Sequence, residues 1–247
     1  MPPRLHVPGV VLRAGQTIEL PPDATRHVQV LRLQPGDALT LFDGQGGEWS
    51  AEVRTMGKRE VHAELRVHQA IERELPIAVT LALAMPAGDR MDFVVEKATE
   101  LGAAAIQPLL CERSVLKLAG ERAERRQAHW RGVAAAAAEQ CGRSRLPAIG
   151  PVLPYGEWLR GLPATADEAR FVLSLADGAL PVCEALKPAL HSARGLLLLS
   201  GPEGGLGATE DAAARSAGLQ PVTLGPRVLR AETAPLAVLG ALTALFA

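Results

Sequence analysis

Residues 199–210 read "LSGPEGGLGATE" and come directly after a run of leucines. Four glycines within seven residues are typical of a loop that leaves a β-strand and opens a helix, and such loops usually bind phosphate through bare N–H groups. This loop carries Glu203, and Glu210 and Asp211 follow it, so a phosphate would be repelled. The stretch therefore predicts a ligand that uses glycine backbone but needs no cationic side chain.

Two phosphate-binding motifs are absent from this region. The P-loop needs a lysine after its second glycine, and residues 195–225 contain no lysine. The dinucleotide fingerprint G-x-G-x-x-G fails because Gly205 and Gly207 are followed by Glu210 at the third position. A tight strand-to-helix turn without any ligand is the alternative interpretation of these glycines.

The glycine loop belongs to a chain segment in which continuous apolar runs alternate with helical patterns. This alternation predicts β/α units around a mostly parallel sheet. The candidate strands are residues 77–84, 104–110, 171–175, 195–200 and 221–225. The candidate helices are "RMDFVVEKATELG", "ERAERRQAHWRGVAAAAAEQ", "LPVCEALKPAL" and "TEDAAARSAGL". We place this α/β domain at residues 73–247 and expect residues 146–170 to be a connector.

Residues 1–72 have a different pattern, with short alternating segments separated by the turn sequences "QPGD" and "DGQGGE". The segments "TIEL", "DALTLF", "EWSAEV" and "VHAELRV" predict a small β-barrel or sandwich. Between the first two, Val28, Leu31 and Leu33 are expected to face inward. The basic residues of the same segment, Arg26, His27 and Arg32, are expected to stay accessible.

A second irregular loop, "LGPRVLRAETA" at 224–234, follows the last predicted strand. Both this loop and the glycine loop leave the carboxyl ends of predicted parallel strands, where α/β sheets bind ligands. Their backbone could line a slot for a neutral base and a cationic centre.

The segment from Arg113 to Arg145 carries eight Lys or Arg residues against three Glu residues. This excess of positive charge marks a basic stripe, and on its own such a run is more typical of a solvated helix face with Glu-to-Arg pairs one turn apart, such as Glu121 with Arg125.

Residues 234–247, "APLAVLGALTALFA", contain no charged side chain. A helix that is apolar all round must be buried all round. Because it is too short to span a bilayer, we expect one face to pack on its own sheet and another against a second copy of the chain, in a two-fold homodimer. The alternative is a helix enclosed within one chain.

Composition restricts the class of protein. The chain has 247 residues, 48% of them hydrophobic, and a formal net charge of −1, so it can build a real core and is no polyanion binder by bulk charge. Three scattered cysteines form no C-x-x-C pair, which favours a reducing cytoplasm. No signal peptide or membrane span is expected. The six histidines form no ligand spacing with the cysteines, so we expect no metal site.

Six stretches resemble one known family: the two loops above, "EKATELGAAAIQPLLCERS" (96–114), "AAEQCGRSRLP" (137–147) and, near the amino terminus, "RLHVP" and "HVQVLRLQPGDALTLFDGQG". They are similar to the RsmE family of the SPOUT class, which uses S-adenosylmethionine to methylate N3 of a uridine in 16S ribosomal RNA. The resemblance covers essentially the whole chain. Cys141 stands where serine is expected and Ala231 where threonine is common, and neither change removes an obvious functional group.

The resemblance implies a trefoil-knotted carboxyl-terminal domain, an amino-terminal PUA-like domain and a homodimer acting on the small ribosomal subunit. It also implies residue roles. The implied S-adenosylmethionine-binding residues are Leu175, Ser200, Gly201, Gly204, Gly205, Leu224, Gly225, Val228 and Leu229. Arg230 would stabilise charge on the target base, and Glu232 would either accept the N3 proton or hold Arg230 in place. The implied RNA-binding residues are Arg26, His27, Arg32, Arg113, Arg131, Gln140, Arg143 and Arg145.

Two other functions remain open from the sequence. One is a SPOUT methyltransferase that acts on another RNA or on a ribose 2′-hydroxyl. The other is a non-catalytic RNA-binding assembly factor, against which the intact glycine loops and Arg230 argue.

Overall fold

The computed structural model describes residues 2–246, so Met1 and Ala247, the outer ends of the two predicted domains, lie outside the described residues. The chain forms two compact units. The first comprises Met1–Glu74 together with Ala135–Leu146, and the second comprises Leu75–Ala134 and Pro147–Ala247. The segment Ala135–Leu146 thus packs with the amino-terminal unit although it lies far along the chain.

The first unit contains a five-stranded sheet and one helix. In chain order the elements are β1 (Arg4–His6), β2 (Thr17–Glu19), α1 (Pro22–Val30), β3 (Ala38–Phe42), β4 (Glu48–Met56) and β5 (Val61–Gln69). The sheet order is β1-β3-β4-β5-β2, antiparallel except for the parallel pair β1 and β3. Alternate residues of the strands, such as Leu39, Leu41, Val61, Ala63 and Leu65, fill its core.

Helix α1 occupies most of the segment in which three inward-facing residues were predicted. Val28 is fully buried, as expected, whereas Leu31 is 43% exposed. The physical reason is that Leu31 caps the end of α1 and the next residue, Arg32, reverses the chain with a φ of 57°. Arg26 and Arg32 are exposed, and His27 is half-buried.

The second unit contains the parallel sheet. Its elements are β6 (Ala78–Ala84), α2 (Arg90–Glu100), β7 (Ala105–Leu110), α3 (Gly120–Cys141, which continues into the first unit), β8 (Ala148–Ile149), β9 (Leu153–Pro154), α4 (Tyr155–Arg160), β10 (Glu168–Leu173), β11 (Leu180–Pro181), α5 (Val182–Ser192), β12 (Gly195–Ser200), α6 (Ala208–Ser216), β13 (Gln220–Thr223) and α7 (Thr233–Leu245).

The strand order of this sheet is β11-β13-β10-β12-β6-β7-β8, with β9 also on β7, and each of these pairings is parallel. The prediction of an α/β fold with a mostly parallel sheet is confirmed. Strand β12 carries four consecutive leucines because it lies in mid-sheet, where Leu196 to Leu199 are buried on both faces. The expected connector between residues 146 and 170 contains two short strands and α4.

Helix α7 packs one face on α2 and β12. Val238, Leu239 and Leu242 are buried, and the Thr243 hydroxyl donates a 2.8 Å hydrogen bond to the Leu101 carbonyl oxygen. In the single chain the helix is not buried all round, because Leu245 is 63% exposed. Within residues 2–246 no helix is both long and apolar enough to cross a membrane.

Candidate functional site

The candidate site lies at the carboxyl ends of three neighbouring strands. Strands β13, β10 and β12 are parallel neighbours, so the loops that follow them emerge at the same edge of the sheet. These loops, residues 174–179, 201–207 and 224–232, line a cavity of about 660 Å³. The glycine-rich sequence and the second irregular loop therefore contribute to one cavity.

Seven of the nine residues predicted to bind the cofactor line this cavity. They are Leu175, Ser200, Gly201, Gly205, Leu224, Val228 and Leu229. Gly204 and Gly225 belong to the same two loops but not to the cavity wall. Apolar side chains dominate, and two of them are unusually open to solvent for their type: Leu175 is 65% exposed and Val228 is 78% exposed. Exposed apolar groups around a cavity suit a flat aromatic ligand.

Glycine is required in these loops for two different reasons. At Gly201, a Cβ atom would lie 2.9 Å from the backbone nitrogen of Leu206. Any residue with a side chain at this position would therefore force the loop to widen. Gly225 has a φ of 97°, a conformation that residues with side chains rarely adopt. Both positions shape the cavity through the backbone.

Glu203, the acidic residue of the glycine loop, is hydrogen-bonded to two other residues of the second unit. Glu203 Oε1 accepts a 3.0 Å hydrogen bond from the backbone nitrogen of Ala87 and a 3.2 Å hydrogen bond from Arg90 Nη1. The carboxylate thus has a cationic partner, which explains how a loop built for close ligand approach tolerates it. Arg90, which also lines the cavity, was missed by the sequence reasoning because it begins helix α2, far from both loops in the chain.

The loop after β7 supports the glycine loop from another side. Glu210 accepts hydrogen bonds from the backbone nitrogens of Gly207 (3.0 Å) and Glu112 (2.8 Å). The Tyr155 hydroxyl donates a 2.7 Å hydrogen bond to the Glu210 carbonyl oxygen, and burial followed by the nearby Glu210 charge raises the Tyr155 pKa. This hydroxyl therefore stays a donor throughout the physiological pH range.

Arg230 and Glu232, the predicted catalytic residues, have different surroundings. Arg230 is exposed, lines the cavity and forms no ion pair with any carboxylate of residues 2–246. Glu232 has a side chain only 12% exposed, and its Oε1 lies 3.7 Å from Arg90 Nε. Its Oε2 is buried without a hydrogen-bond partner in the described part of the chain. Arg230 and Glu232 form no ion pair with each other, so Glu232 does not hold Arg230 in place through a direct salt bridge.

The predicted RNA-binding residues are divided between the units. In the second unit, Arg131 is exposed on α3, whereas Arg113 lines the cavity. In the first unit, Arg26, Arg32 and Gln140 are exposed, and His27 Nδ1 lies 3.6 Å from Glu139 Oε2. This contact brings the side chain of His27 on α1 close to that of Glu139 near the carboxyl-terminal end of α3.

Arg143 and Arg145, which the family resemblance implied as RNA-binding residues, are both held by carboxylates. Arg143 is only 3% exposed and forms an ion pair with Glu74. Arg145 is half-exposed and its Nε donates a 2.9 Å hydrogen bond to Glu72. Arg143 is thus an interior residue of the first unit, which differs from the exposed position expected of a phosphate ligand.

Cys111 is buried in the second unit. Burial, with a smaller effect of Glu210, raises the pKa of the Cys111 thiol to about 12, so this cysteine is a poor nucleophile. Among residues 2–246, no group of three or more His, Cys, Asp or Glu side chains is placed to hold a metal ion.

Two family models match the chain. A model described as an RNA methyltransferase domain matches residues 73–243. A second, described as an RNA methyltransferase PUA domain, matches residues 20–66.

Individual proteins are similar over most of their length. Ribosomal RNA small subunit methyltransferase E of Synechocystis is 36% identical over 88% of this chain and 69% of its own. The Bacillus subtilis protein of the same name is 33% identical over 94% of this chain and 91% of its own. The crystal structure of a ribosomal RNA small subunit methyltransferase E from Neisseria gonorrhoeae, bound to S-adenosyl methionine, superposes with a TM-score of 0.89. It has 36% identity and covers 100% of this chain and 98% of its own.

Proposed function

This chain belongs to the family of RNA methyltransferases that includes ribosomal RNA small subunit methyltransferase E, and on this premise we propose that it methylates N3 of a uridine in 16S ribosomal RNA, with S-adenosylmethionine as the donor. The observation that carries the proposal is the cavity at the strand ends. Its wall combines the glycine loop with an exposed Arg230 that has no carboxylate partner among residues 2–246.

The residues of the cavity fit this donor. Its volume of about 660 Å³ is ordinary for a small-molecule site. Leu175, Leu224 and Val228 offer apolar surface to an adenine ring, and the backbone of the glycine loop can hydrogen-bond its polar edge. When bound, S-adenosylmethionine supplies a methyl group on a positively charged sulfur. A cationic centre is compatible with Glu203 in a way that a phosphate is not.

Arg230 supplies the charge that the target base requires. Methyl transfer needs N3 to lose its proton and bond to the methyl carbon, while the carbon–sulfur bond breaks and its electron pair returns to sulfur. Loss of the proton spreads negative charge onto the two carbonyl oxygens of uracil, and a fixed guanidinium stabilises that charge. Glu232, two residues away, is proposed either to accept the N3 proton or to organise the loop that carries Arg230.

RNA is proposed to contact both units through positive and polar side chains. Arg26, Arg32 and Gln140 of the first unit and Arg131 of the second are exposed and suited to phosphate or polar contacts. A paired target base must be rotated out of its helix, which costs a few kcal/mol and favours a uridine that is already exposed.

Self-association is a further part of the proposal. Leu245 and Phe246 at the end of α7 and Phe93 on α2 are exposed apolar side chains of the second unit. We propose that they lie in a two-fold homodimer interface. The trefoil knot and a cytoplasmic location, where ribosomal subunits assemble, remain predictions from the family resemblance.

The decisive experiment incubates the purified protein with methyl-labelled S-adenosylmethionine and small ribosomal subunits that lack their modifications. The RNA is then digested to nucleosides and analysed by mass spectrometry. N3-methyluridine is the expected product. Label in another nucleoside would overturn the target atom but keep the donor. A non-catalytic assembly factor would give no label, and one that has lost the cofactor site would show no thermal stabilisation by S-adenosylmethionine.

A further inference from the structure

Arg90 connects the two loops of the site. Its Nη1 lies 3.2 Å from Glu203 Oε1 in the glycine loop, and its Nε lies 3.7 Å from Glu232 Oε1, just after Arg230. All three side chains belong to the second unit. One guanidinium therefore holds carboxylates from the loops after β12 and β13.

The planar fork of arginine suits this arrangement. Arginine presents donors in several fixed directions, so Nη1 can serve one carboxylate while Nε faces another. Lysine has a single nitrogen on a flexible stem and cannot hold two carboxylates in one rigid geometry. Arg90 is the first residue of α2, so the helix fixes the position of its backbone.

Glu232 pairs with an arginine that is distant in the chain rather than with its neighbour in sequence. Arg230 is two residues away in the chain, yet the Glu232 carboxylate is paired with Arg90 and forms no ion pair with Arg230. Arg230 is left without a carboxylate partner among residues 2–246 while it faces the cavity. A guanidinium that is already neutralised by a carboxylate could stabilise little charge on a substrate.

We infer that Arg90 is a positioning residue that engages Glu232 and thereby keeps the Arg230 guanidinium free for the negative charge that develops on the target base. The inference rests on the proposed function. It assigns Glu232 to the organisation of the loop, because Glu232 is largely buried and is not part of the cavity wall. The N3 proton then leaves to solvent.

The inference predicts a separation between binding and turnover. In Arg90→Gln, Glu203 keeps its hydrogen bond from the Ala87 backbone nitrogen, so the glycine loop stays in place. The released Glu232 carboxylate is expected to pair with Arg230. Turnover at saturating cofactor should fall about 100-fold, as when one donor to a developing oxyanion is removed. The dissociation constant for S-adenosylmethionine should change by less than about fivefold.

The test compares Arg90→Gln with the double variant Arg90→Gln/Glu232→Gln. A neutral glutamine cannot neutralise Arg230, so the double variant should turn over at least about tenfold faster than Arg90→Gln. Arg90→Lys keeps a positive charge near Glu232 and should retain more activity than Arg90→Gln. Arg160→Gln is the matched control, because Arg160 is an exposed arginine of α4 outside the cavity wall, and its turnover should stay within about twofold of wild type.

Three results would overturn the inference: normal turnover in Arg90→Gln, a double variant no faster than Arg90→Gln, or equal losses in Arg90→Lys and Arg90→Gln. The second result would assign Glu232 to the chemistry itself. A crystal structure of Arg90→Gln without ligand gives an independent readout, in which an ion pair between Glu232 and Arg230 is expected. If the wild-type protein methylates no RNA, the proposed function fails. The crystal structure of Arg90→Gln still tests whether Glu232 pairs with Arg230 when Arg90 is removed.

Discussion

Arg113 donates a 2.8 Å hydrogen bond from Nη1 to the carbonyl oxygen of Gly204. A side chain from the loop after β7 thereby holds the glycine loop after β12. Sequence reasoning had assigned Arg113 to RNA. Its hydrogen bond instead indicates that Arg113 maintains the shape of the cofactor cavity. RNA binding and maintenance of the cavity can be distinguished by experiment.

Arg113→Ala is expected to weaken S-adenosylmethionine binding about five- to tenfold, since it removes one hydrogen bond that holds the loop. Isothermal titration calorimetry measures the effect, with Arg160→Ala as the control. Normal cofactor affinity combined with weaker RNA binding would return Arg113 to the RNA interface alone.

Gly201→Ala is expected to lower cofactor affinity and to destabilise the protein by about 1–3 kcal/mol, because the new Cβ meets the Leu206 backbone and the loop must shift. Gly132→Ala is a matched control: this glycine is exposed within α3, and no atom lies within 4 Å of a Cβ built there. That change should stabilise the helix by up to about 1 kcal/mol. Thermal denaturation of both variants, with and without cofactor, measures these changes. Equal changes in stability for Gly201→Ala and Gly132→Ala would contradict the close approach at Gly201.

Arg230→Ala is expected to lower turnover at least about 100-fold while cofactor affinity stays within about threefold. The measurement is a single-turnover methylation assay together with calorimetric titration of the cofactor. Unchanged turnover would remove Arg230 from the mechanism, and a parallel loss of cofactor affinity would make it a binding residue.

Glu48 is the centre of an ion-pair network in the first unit, where it accepts hydrogen bonds from Arg4 and from Arg73 (2.9 Å). Burial alone would raise the Glu48 pKa, but the hydrogen bonds and charges of these two arginines outweigh it and lower the pKa below its usual value of 4.5. Since the folded state then binds a proton less readily than the unfolded chain, this group's stabilisation is present above pH 4.5 and is lost as pH falls through the lower folded value.

Glu48→Gln should therefore reduce the free energy of unfolding by about 3 kcal/mol at neutral pH, because it leaves the buried Arg4 charge unpaired. The difference from wild type should shrink at acidic pH, below the lowered folded-state pKa of Glu48, where the group is protonated in both states. Urea denaturation at the two pH values measures this. A difference independent of pH would exclude the charge of Glu48 as the cause.

The exposed and buried arginines of the first unit should respond differently to neutralisation. Replacing both Arg26 and Arg32 by Gln is expected to lower the slope of log affinity for RNA against log salt concentration by about two, one for each phosphate that an arginine no longer neutralises. Arg143→Gln should instead destabilise the unit, since it leaves Glu74 without its partner. An unaltered salt slope in the Arg26/Arg32 variant would count against these two residues as phosphate ligands.

Much of the fold was predictable because its signals are local. Continuous apolar runs and helical patterns located β6, β7, β10, β12 and β13 and the helices α2, α3, α5 and α6, whereas α4 lies in the segment expected to be a connector. The strand β1 was missed because its three residues are too few to show alternation. Leu31 was placed wrongly because alternation along the segment could not reveal where α1 ends.

The sequence by itself determined the glycine loop, the uncharged helix and the family resemblance, since each depends on residues that are close together in the chain. Only the tertiary structure decided the partners of the charged groups. Arg90 meets Glu203 and Glu232, and Arg143 meets Glu74, across long separations in sequence. Charge pairing depends on distances in space and on burial, which residue types alone do not encode. For this reason the sequence identified Arg230 as a candidate catalytic residue, whereas the fold showed that Arg90 pairs with the nearby Glu232.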